Sequence, residues 1–147
     1  MDSREFYKRG ASRVISFESD RDLFMLLDRN SDKRSLLFNS ELGSKMGKIE
    51  KSNSSDPYKE LYPISVYTLD YLFSSECLKE IDLLKISMED DKLDIFEGIS
   101  DSNLSKVNKI LLKNPSEKDR TKLIPRLERN NFSFKEIESE KSIFFYR

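Results

Sequence analysis

Residues 81–98 read IDLLKISMEDDKLDIFEG, and this stretch decides the predicted fold. Its first part, Ile81–Ile86, is an almost unbroken apolar run, which is typical of a parallel strand covered on both faces. The second part has helical spacing, because Leu93 and Phe96 lie one turn apart and Gly98 is placed to supply a left-handed C-cap. A strand, a sharp turn and a helix form half of a βαβ unit. Ligands of open α/β sheets bind at the carboxyl ends of such strands.

The rest of the chain alternates predicted strands and helices, as an α/β domain requires. We predict strands at Arg13–Phe17, Ser35–Phe38, Lys48–Glu50, Ile64–Tyr67 and Lys106–Lys113, and a closing antiparallel hairpin made of Phe132–Ile137 and Ser142–Tyr146. Helices are predicted over Ser3–Gly10, Asp20–Asp28, Thr68–Phe73 and Glu117–Arg129. Capping-box spacing occurs at Ser19-x-x-Asp22 and at Ser116-x-x-Asp119. Pro125 falls inside the last helix, where it removes one hydrogen bond and is expected to kink or shorten it.

Several of these segments resemble the FkbM-type methyltransferases, which use S-adenosylmethionine (SAM). The family carries a segment like LLKIDVEGAELEVLEG, and this chain matches it at Leu83, Leu84, Lys85, Ile86, Glu89, Leu93 and Gly98. The chain departs from that segment at Ser87, Asp90 and Lys92, where the family has Asp, Gly and Glu. Residues 66–72, VYTLDYL, are similar to the family's V-x-TLD-x-L segment. The resemblance implies a Rossmann-like class I methyltransferase fold that ends in an antiparallel hairpin.

Two segments nearer the N-terminus show the same resemblance, which implies a cofactor site there. Residues 10–30, GASRVISFESDRDLFMLLDRN, are similar to the family's second strand and the helix after it, and residues 38–50, FNSELGSKMGKIE, are similar to its N-x-A-LG-x-x-x-G-x-x-E segment. In this resemblance Glu18 is the acid at the tip of the second strand that accepts the ribose hydroxyls of SAM. A carboxylate suits that role because it can accept two O–H donors with charge-assisted strength. The alternative is that Glu18 only supports the N-terminus of the next helix.

The resemblance implies four further site residues. Asn39 or Ser40 would lie near the adenine, although a turn position held by local hydrogen bonding is an equal alternative for either residue. Ser87 stands at the tip of the fourth strand, within the cofactor site. Glu89 is the matched candidate for a general base that handles the proton of a hydroxyl acceptor, and a carboxylate at a helix N-terminus is its structural alternative.

The glycine-rich turn of the family, D-x-G-A-N-x-G, does not occur in this sequence. In the family those glycines let the backbone approach the methionine end of SAM, whereas the only glycines here are Gly10, Gly43, Gly47 and Gly98. We therefore expect one FkbM-like domain over residues 1–147 that is incomplete at its N-terminus and lacks the first strand. Three interpretations stay open: an active enzyme whose N-terminal segment lies outside this chain, a degenerate relative kept for binding or assembly, and an unrelated α/β domain.

The composition excludes several other classes of function. Lysine and arginine number 26 against 27 aspartate and glutamate, with no basic stripe interleaved with aromatics, so we expect no nucleic-acid partner. The chain has no histidine, the commonest general base and zinc ligand, and we expect no metal site. Cys77 is the only cysteine, and we predict a buried structural thiol. Without a membrane-length apolar run or a signal-peptide core, the protein is expected to be soluble and cytoplasmic.

The function that the resemblance implies is SAM-dependent O-methyl transfer to a small-molecule or glycan hydroxyl, by a domain that is degenerate or incomplete as it stands. The alternative is a non-catalytic methyltransferase-like domain for binding or assembly. In the family's strand order the missing first strand lies between the second and the fourth. Without it, Arg13–Phe17 and Ile81–Ile86 have to pair with each other, leave strand edges exposed or borrow a strand. We therefore also expect self-association or a partner that supplies a strand.

Overall fold

A computed structural model describes residues 3–52, 58, 60–87 and 92–147. The chain is a mixed α/β structure that forms two compact units, Met1–Tyr67 and Thr68–Arg147. Each sheet lies wholly within one unit. The expected class, an α/β fold, is confirmed at this level, and a single FkbM-like domain over the whole chain stays a prediction.

In its described residues, the first unit contains two small sheets and two helices. Its elements are α1 (Ser3–Lys8), β1 (Ile15–Phe17), α2 (Arg21–Asn30), β2 (Leu36–Phe38), β3 (Ser40–Leu42), β4 (Gly47–Lys51) and β5 (Tyr62–Tyr67). Strands β1 and β2 pair in parallel and form one sheet. In the other sheet β5 is central, parallel to β3 and antiparallel to β4. The parallel pairing of β1 and β2 brings their carboxyl ends to the same edge.

Local chemistry explains how the helices of the first unit begin and end. Gly10 has φ +93°, a value that only glycine adopts readily, and the helical segment that begins with α1 ends there, as predicted. Asp20 is the N-cap of helix α2, and its carboxylate accepts hydrogen bonds from the backbone N–H groups of Asp22 at 2.9 Å and Leu23 at 3.0 Å. The predicted capping box starting at Ser19 is therefore wrong by one residue. An aspartate side chain caps well enough on its own to move the helix start.

The second unit is built on one four-stranded sheet. Its elements are α3 (Leu69–Ser75), β6 (Leu84–Ile86), α4 (Lys92–Glu97), α5 (Asp101–Leu104), β7 (Lys109–Lys113), α6 (Glu117–Arg129), β8 (Ser133–Ile137) and β9 (Ser142–Tyr146). The strand order is β6-β7-β9-β8, with β6 and β7 parallel and the other pairs antiparallel. The predicted closing hairpin is confirmed as β8 and β9, which a single 3-10 turn at Glu138–Glu140 joins.

The core of the second unit lies on one face of this sheet. Five of its side chains are each 0% exposed: Phe96, Leu104, Ile110, Leu127 and Phe145. The predicted apolar face of α4 is confirmed, because Leu93, Ile95 and Phe96 are all buried. Helix α6 starts with the predicted capping box: Ser116 Oγ accepts from Asp119 N–H at 3.1 Å, and Asp119 Oδ2 accepts from Ser116 N–H at 2.8 Å. These contacts anchor the helix that covers the core.

Two residues in the second unit differ from the sequence predictions. Gly98 does not have a positive φ, so it is not a left-handed cap. Its carbonyl instead accepts a hydrogen bond from Asp70 N–H at 3.0 Å. Cys77 is exposed, and the predicted buried thiol is wrong because Cys77 has φ 50° in the turn that follows α3. Its backbone N–H donates to Ser74 in that turn, which carries the side chain outward.

Asp70 joins α3 to the start of α5. Its Oδ1 accepts hydrogen bonds from Ser100 N–H at 3.0 Å, Ser100 Oγ at 3.1 Å and Asn103 Nδ2 at 2.9 Å. Burial raises the pKa of Asp70, but the hydrogen bonds from Asn103 and Ser100 outweigh it and hold the pKa below its ordinary value. The charged carboxylate therefore stabilises the unit at neutral pH, and that contribution is lost as the pH falls through the lowered pKa.

Candidate cofactor site

The candidate site lies at the edge of the first unit where β1 and β2 end side by side. Phe17 and Phe38 are opposite one another in the register, and their rings stack with centroids 4.8 Å apart and an interplanar angle of 6°. The pairing continues one residue further, since Glu18 N–H donates to the Phe38 carbonyl at 3.1 Å. Glu18 and Asn39 thus leave neighbouring parallel strands at their carboxyl ends, which is the edge where α/β sheets bind ligands.

The Glu18 carboxylate has one oxygen engaged in the turn before α2. Its Oε1 accepts a hydrogen bond from Asp20 N–H at 2.9 Å. Glu18 therefore does support the turn before α2, although the N-cap of that helix is Asp20. Within the described part of the chain no donor contacts Oε2, and the residue is half-buried. The carboxylate is held in place through one oxygen and can accept a ligand hydroxyl with the other.

The Asn39 side chain is tied to the backbone that follows β1. Its Nδ2 donates to the Glu18 carbonyl at 2.9 Å and, at 3.5 Å, to the Ser19 carbonyl. This is the local hydrogen bonding that was the alternative role for Asn39. It uses only the NH₂ group, and no donor among the described residues reaches Oδ1. An oriented acceptor therefore stands beside Glu18.

Ser40 follows Asn39 directly and begins β3. The residue is only 3% exposed, and its Oγ has no hydrogen-bond partner among the residues that the structure describes. A buried hydroxyl left unpaired costs about 1–3 kcal/mol. A polar group placed beside the Ser40 hydroxyl would offset that cost, and contact between Ser40 and a ligand stays a prediction.

Sequence reasoning missed Tyr62, which supports this edge from β5. Its hydroxyl donates to the Ser19 carbonyl at 3.0 Å and accepts from Arg21 N–H at 3.3 Å. The Arg21 guanidinium carbon lies 3.9 Å from the centre of the Tyr62 ring, and the tyrosine is 5% exposed. Tyr62 therefore positions the turn that carries Glu18. No local pattern links Tyr62 to residues some forty positions earlier, so the sequence held no signal for it.

Two other predicted site residues belong to the second unit. Ser87 follows β6 and is exposed. Glu89 lies outside the described residues. Glu18, Asn39 and Ser40 are thus the predicted site residues that the structure places side by side.

A crystal structure of methyltransferase FkbM from Methylobacillus flagellatus KT resembles the chain, with a TM-score of 0.64. This chain has the fold of part of that methyltransferase. The likeness covers 97% of this chain but only 38% of the other, and the sequences are 16% identical, so it is a likeness of fold. No protein-family model matches the sequence, and a search of curated proteins found no significant match. None of the described helices is long and apolar enough to cross a membrane.

Proposed function

We propose that this chain is a methyltransferase-like domain whose first unit carries the nucleoside half of a SAM site. The observation that supports the proposal is the Glu18 carboxylate, which follows a parallel strand and keeps Oε2 without a partner among the described residues. A ribose presents two neighbouring hydroxyls, and a carboxylate accepts such donors with charge-assisted strength. Asn39 Oδ1 and Ser40 Oγ would then contact the base.

The residues at this edge fit the nucleoside end of SAM and not its methionine end. Three polar atoms lack partners in the described part of the chain, namely Glu18 Oε2, Asn39 Oδ1 and Ser40 Oγ. The glycine-rich turn that holds the methionine end in the family has no counterpart in this sequence. When bound, SAM supplies an electrophilic methyl group, and the part of these residues is to bind and orient the nucleoside. We further propose that the acceptor is a small-molecule or glycan hydroxyl and that Glu89 is its base.

Calorimetric titration with S-adenosylhomocysteine tests the nucleoside half-site. We expect wild type to bind with a dissociation constant between about 10 μM and 1 mM, which corresponds to roughly −7 to −4 kcal/mol, because only one half of the ligand is held. Glu18→Ala is expected to weaken binding at least about tenfold, since a hydrogen bond to a charged group contributes about 1.5–3 kcal/mol. Glu18→Gln keeps the shape and one acceptor, so it should lose less.

Asp28→Ala is the matched control for this titration. Asp28 is an exposed carboxylate at the far end of α2, so its removal changes the net charge equally and should leave binding unchanged. If Glu18→Ala binds as well as wild type, Glu18 acts only in the turn before α2. If wild type shows no binding at about 1 mM, the nucleoside half-site does not exist.

Assembly is a second part of the proposal. Among the described residues, β1 pairs only with β2, and β6 pairs only with β7, which leaves one edge of each strand without a strand partner. Helix α2 also exposes Leu23, Met25 and Leu26 by about half of their surfaces, at 49%, 53% and 52%. We expect self-association, or capture of a strand from a partner, because unpaired edges and apolar side chains promote both. Sedimentation velocity showing a monomer at every concentration would contradict self-association.

A further inference from the structure

The register of the four-stranded sheet gathers lysines on the face opposite the core. Lys85 pairs with Leu111, Leu111 pairs with Phe144, and Phe144 pairs with Lys135. Residues directly opposite one another on neighbouring strands project from the same face. One row of side chains therefore crosses all four strands and has a lysine at each end.

Two more lysines lie on the same face, two positions away along β7. Lys109 pairs with Tyr146 and Lys113 pairs with Ser142, and alternation along the strand places both lysines beside Leu111. The intervening residues project to the buried core: Ile110, Leu112, Ile143 and Phe145. We name this face the lysine–aromatic face, and its members are three exposed residues, Lys109, Lys135 and Tyr146, and three half-buried residues, Lys85, Lys113 and Phe144.

The two aromatic rings of this face lie on β9, which is an interior strand of the sheet. Phe144 and Tyr146 stack with centroids 5.9 Å apart and an interplanar angle of 24°. Lys135 Nζ lies 5.4 Å from the centre of the Phe144 ring, and Tyr146 is 37% exposed. Flat rings with cations around them are the combination that holds unstacked bases and their phosphates.

The charges on the face also favour an anionic ligand. Burial lowers the pKa of Lys85, and the charge of Lys113 lowers it further, while that of Glu140 opposes the effect. The Glu140 carboxylate lies 4.0 Å from Lys113 Nζ, at the limit of an ion pair, so it offsets only part of the positive charge. A phosphate placed between these lysines would relieve their mutual repulsion.

We propose that the lysine–aromatic face binds single-stranded nucleic acid, with lysines on the phosphates and bases stacked on Phe144 and Tyr146. A duplex would fit less well, because its bases are already stacked on one another. The sequence-based expectation of no nucleic-acid partner rested on the net charge and on the lack of a basic run. The lysines of this face come from three strands, so only the pairing register reveals them.

Fluorescence anisotropy with labelled uridine RNA and thymidine DNA of about 12 nucleotides tests the proposal on the intact chain. We expect a dissociation constant on the order of 10 μM at about 50 mM salt and a slope of log K against log salt near −3, because each phosphate contact on a single strand contributes about −0.7. The double variant Lys109→Ser with Lys113→Ser should reduce the slope by about 1.4. Comparing the RNA and DNA probes shows which strand is preferred.

The matched control replaces two lysines that lie elsewhere in the same unit. Lys118 and Lys122 are exposed on α6, so Lys118→Ser with Lys122→Ser removes the same charge away from the lysine–aromatic face. Affinity and salt slope should stay at wild-type values in this variant. An equal loss in both double variants would mean that the protein binds polyanions through net charge alone, which overturns the proposal.

The aromatic part of the site is tested separately. Tyr146→Ala should weaken binding about tenfold, as stacking on one base contributes about that much, while Tyr146→Phe keeps the ring and should bind like wild type. An unchanged affinity in Tyr146→Ala would overturn the proposal, and so would equal affinity for a duplex of the same sequence. Lys109 is exposed and Lys113 is half-buried, and neither side chain projects into the core, so their changes report on binding even where Tyr146→Ala unfolds.

Discussion

Arg126→Met is expected to lower the free energy of unfolding by about 3 kcal/mol. The Arg126 guanidinium donates to the Phe96 carbonyl, to the Ile99 carbonyl at 2.7 Å, and weakly to Asp101 Oδ1 at 3.4 Å. Arg126 therefore donates hydrogen bonds to carbonyl groups at and just after the C-terminal end of α4, where the helix dipole also favours a cation. Each hydrogen bond from a charged group contributes about 1.5–3 kcal/mol, and partial exposure places the sum at the lower end. Urea unfolding followed by circular dichroism measures the loss.

Arg129→Met is the matched control for this prediction. Arg129 is an exposed arginine one turn further along α6, so the variant loses the same charge and adds the same side chain. Surface changes of this kind usually stay within about 0.5 kcal/mol. A similar loss in both variants would contradict the role of Arg126, because it would trace the effect to charge or helix propensity.

Pro125→Ala is expected to stabilise the protein, by up to about 3 kcal/mol. Pro125 lies inside the continuous helix α6 and is exposed, so alanine meets no steric obstacle there. Proline removes the N–H that would bond to the Thr121 carbonyl and disfavours the helical turn before it. Thermal unfolding should show a midpoint several degrees higher.

Lys122→Ala controls for alanine itself, because Lys122 is also exposed within α6 and both residues form helices well. Its midpoint should match that of wild type. A lower midpoint for Pro125→Ala would mean that the helix bends at this residue and that the proline favours the bend.

The elements that the sequence predicted best are those controlled by local chemistry. The capping box at Ser116 and the hairpin of β8 and β9 were correctly placed, because the cap and the apolar alternation act within a few residues. Asp20 displaced Ser19 as the N-cap of α2, since both residue types cap and only the backbone geometry decides between them. Helix α5 has just four residues, too few for a periodic pattern to show.

Features that depend on distant pairing could not be predicted. Within the described residues, the division of nine strands among three sheets follows from which strands pair, and the strand sequences alone do not specify that pairing. Tyr62 supports the Glu18 turn through two hydrogen bonds between its hydroxyl and backbone groups some forty residues earlier. The lysine–aromatic face arises in the same way, from the register of four strands.

Part of the candidate site could be predicted from the sequence. The resemblance implied that Glu18 lies at a strand tip near the ribose and that Asn39 lies near the adenine, and the structure brings the two residues into contact at 2.9 Å. The sequence could not show that Glu18 Oε1 bonds to Asp20, or that Ser40 Oγ is buried without a partner in the described part of the chain. Those details depend on how the side chains pack.

Amide NMR spectra recorded while S-adenosylhomocysteine is added test most directly whether this edge binds a nucleoside. We expect the largest shifts at the amides of Glu18, Asp20, Asn39 and Ser40, because the Asp20 N–H donates to the carboxylate that would bind the ribose. These shifts should saturate below about 1 mM ligand. Shifts confined to the second unit, or no shifts at that concentration, would contradict the nucleoside site.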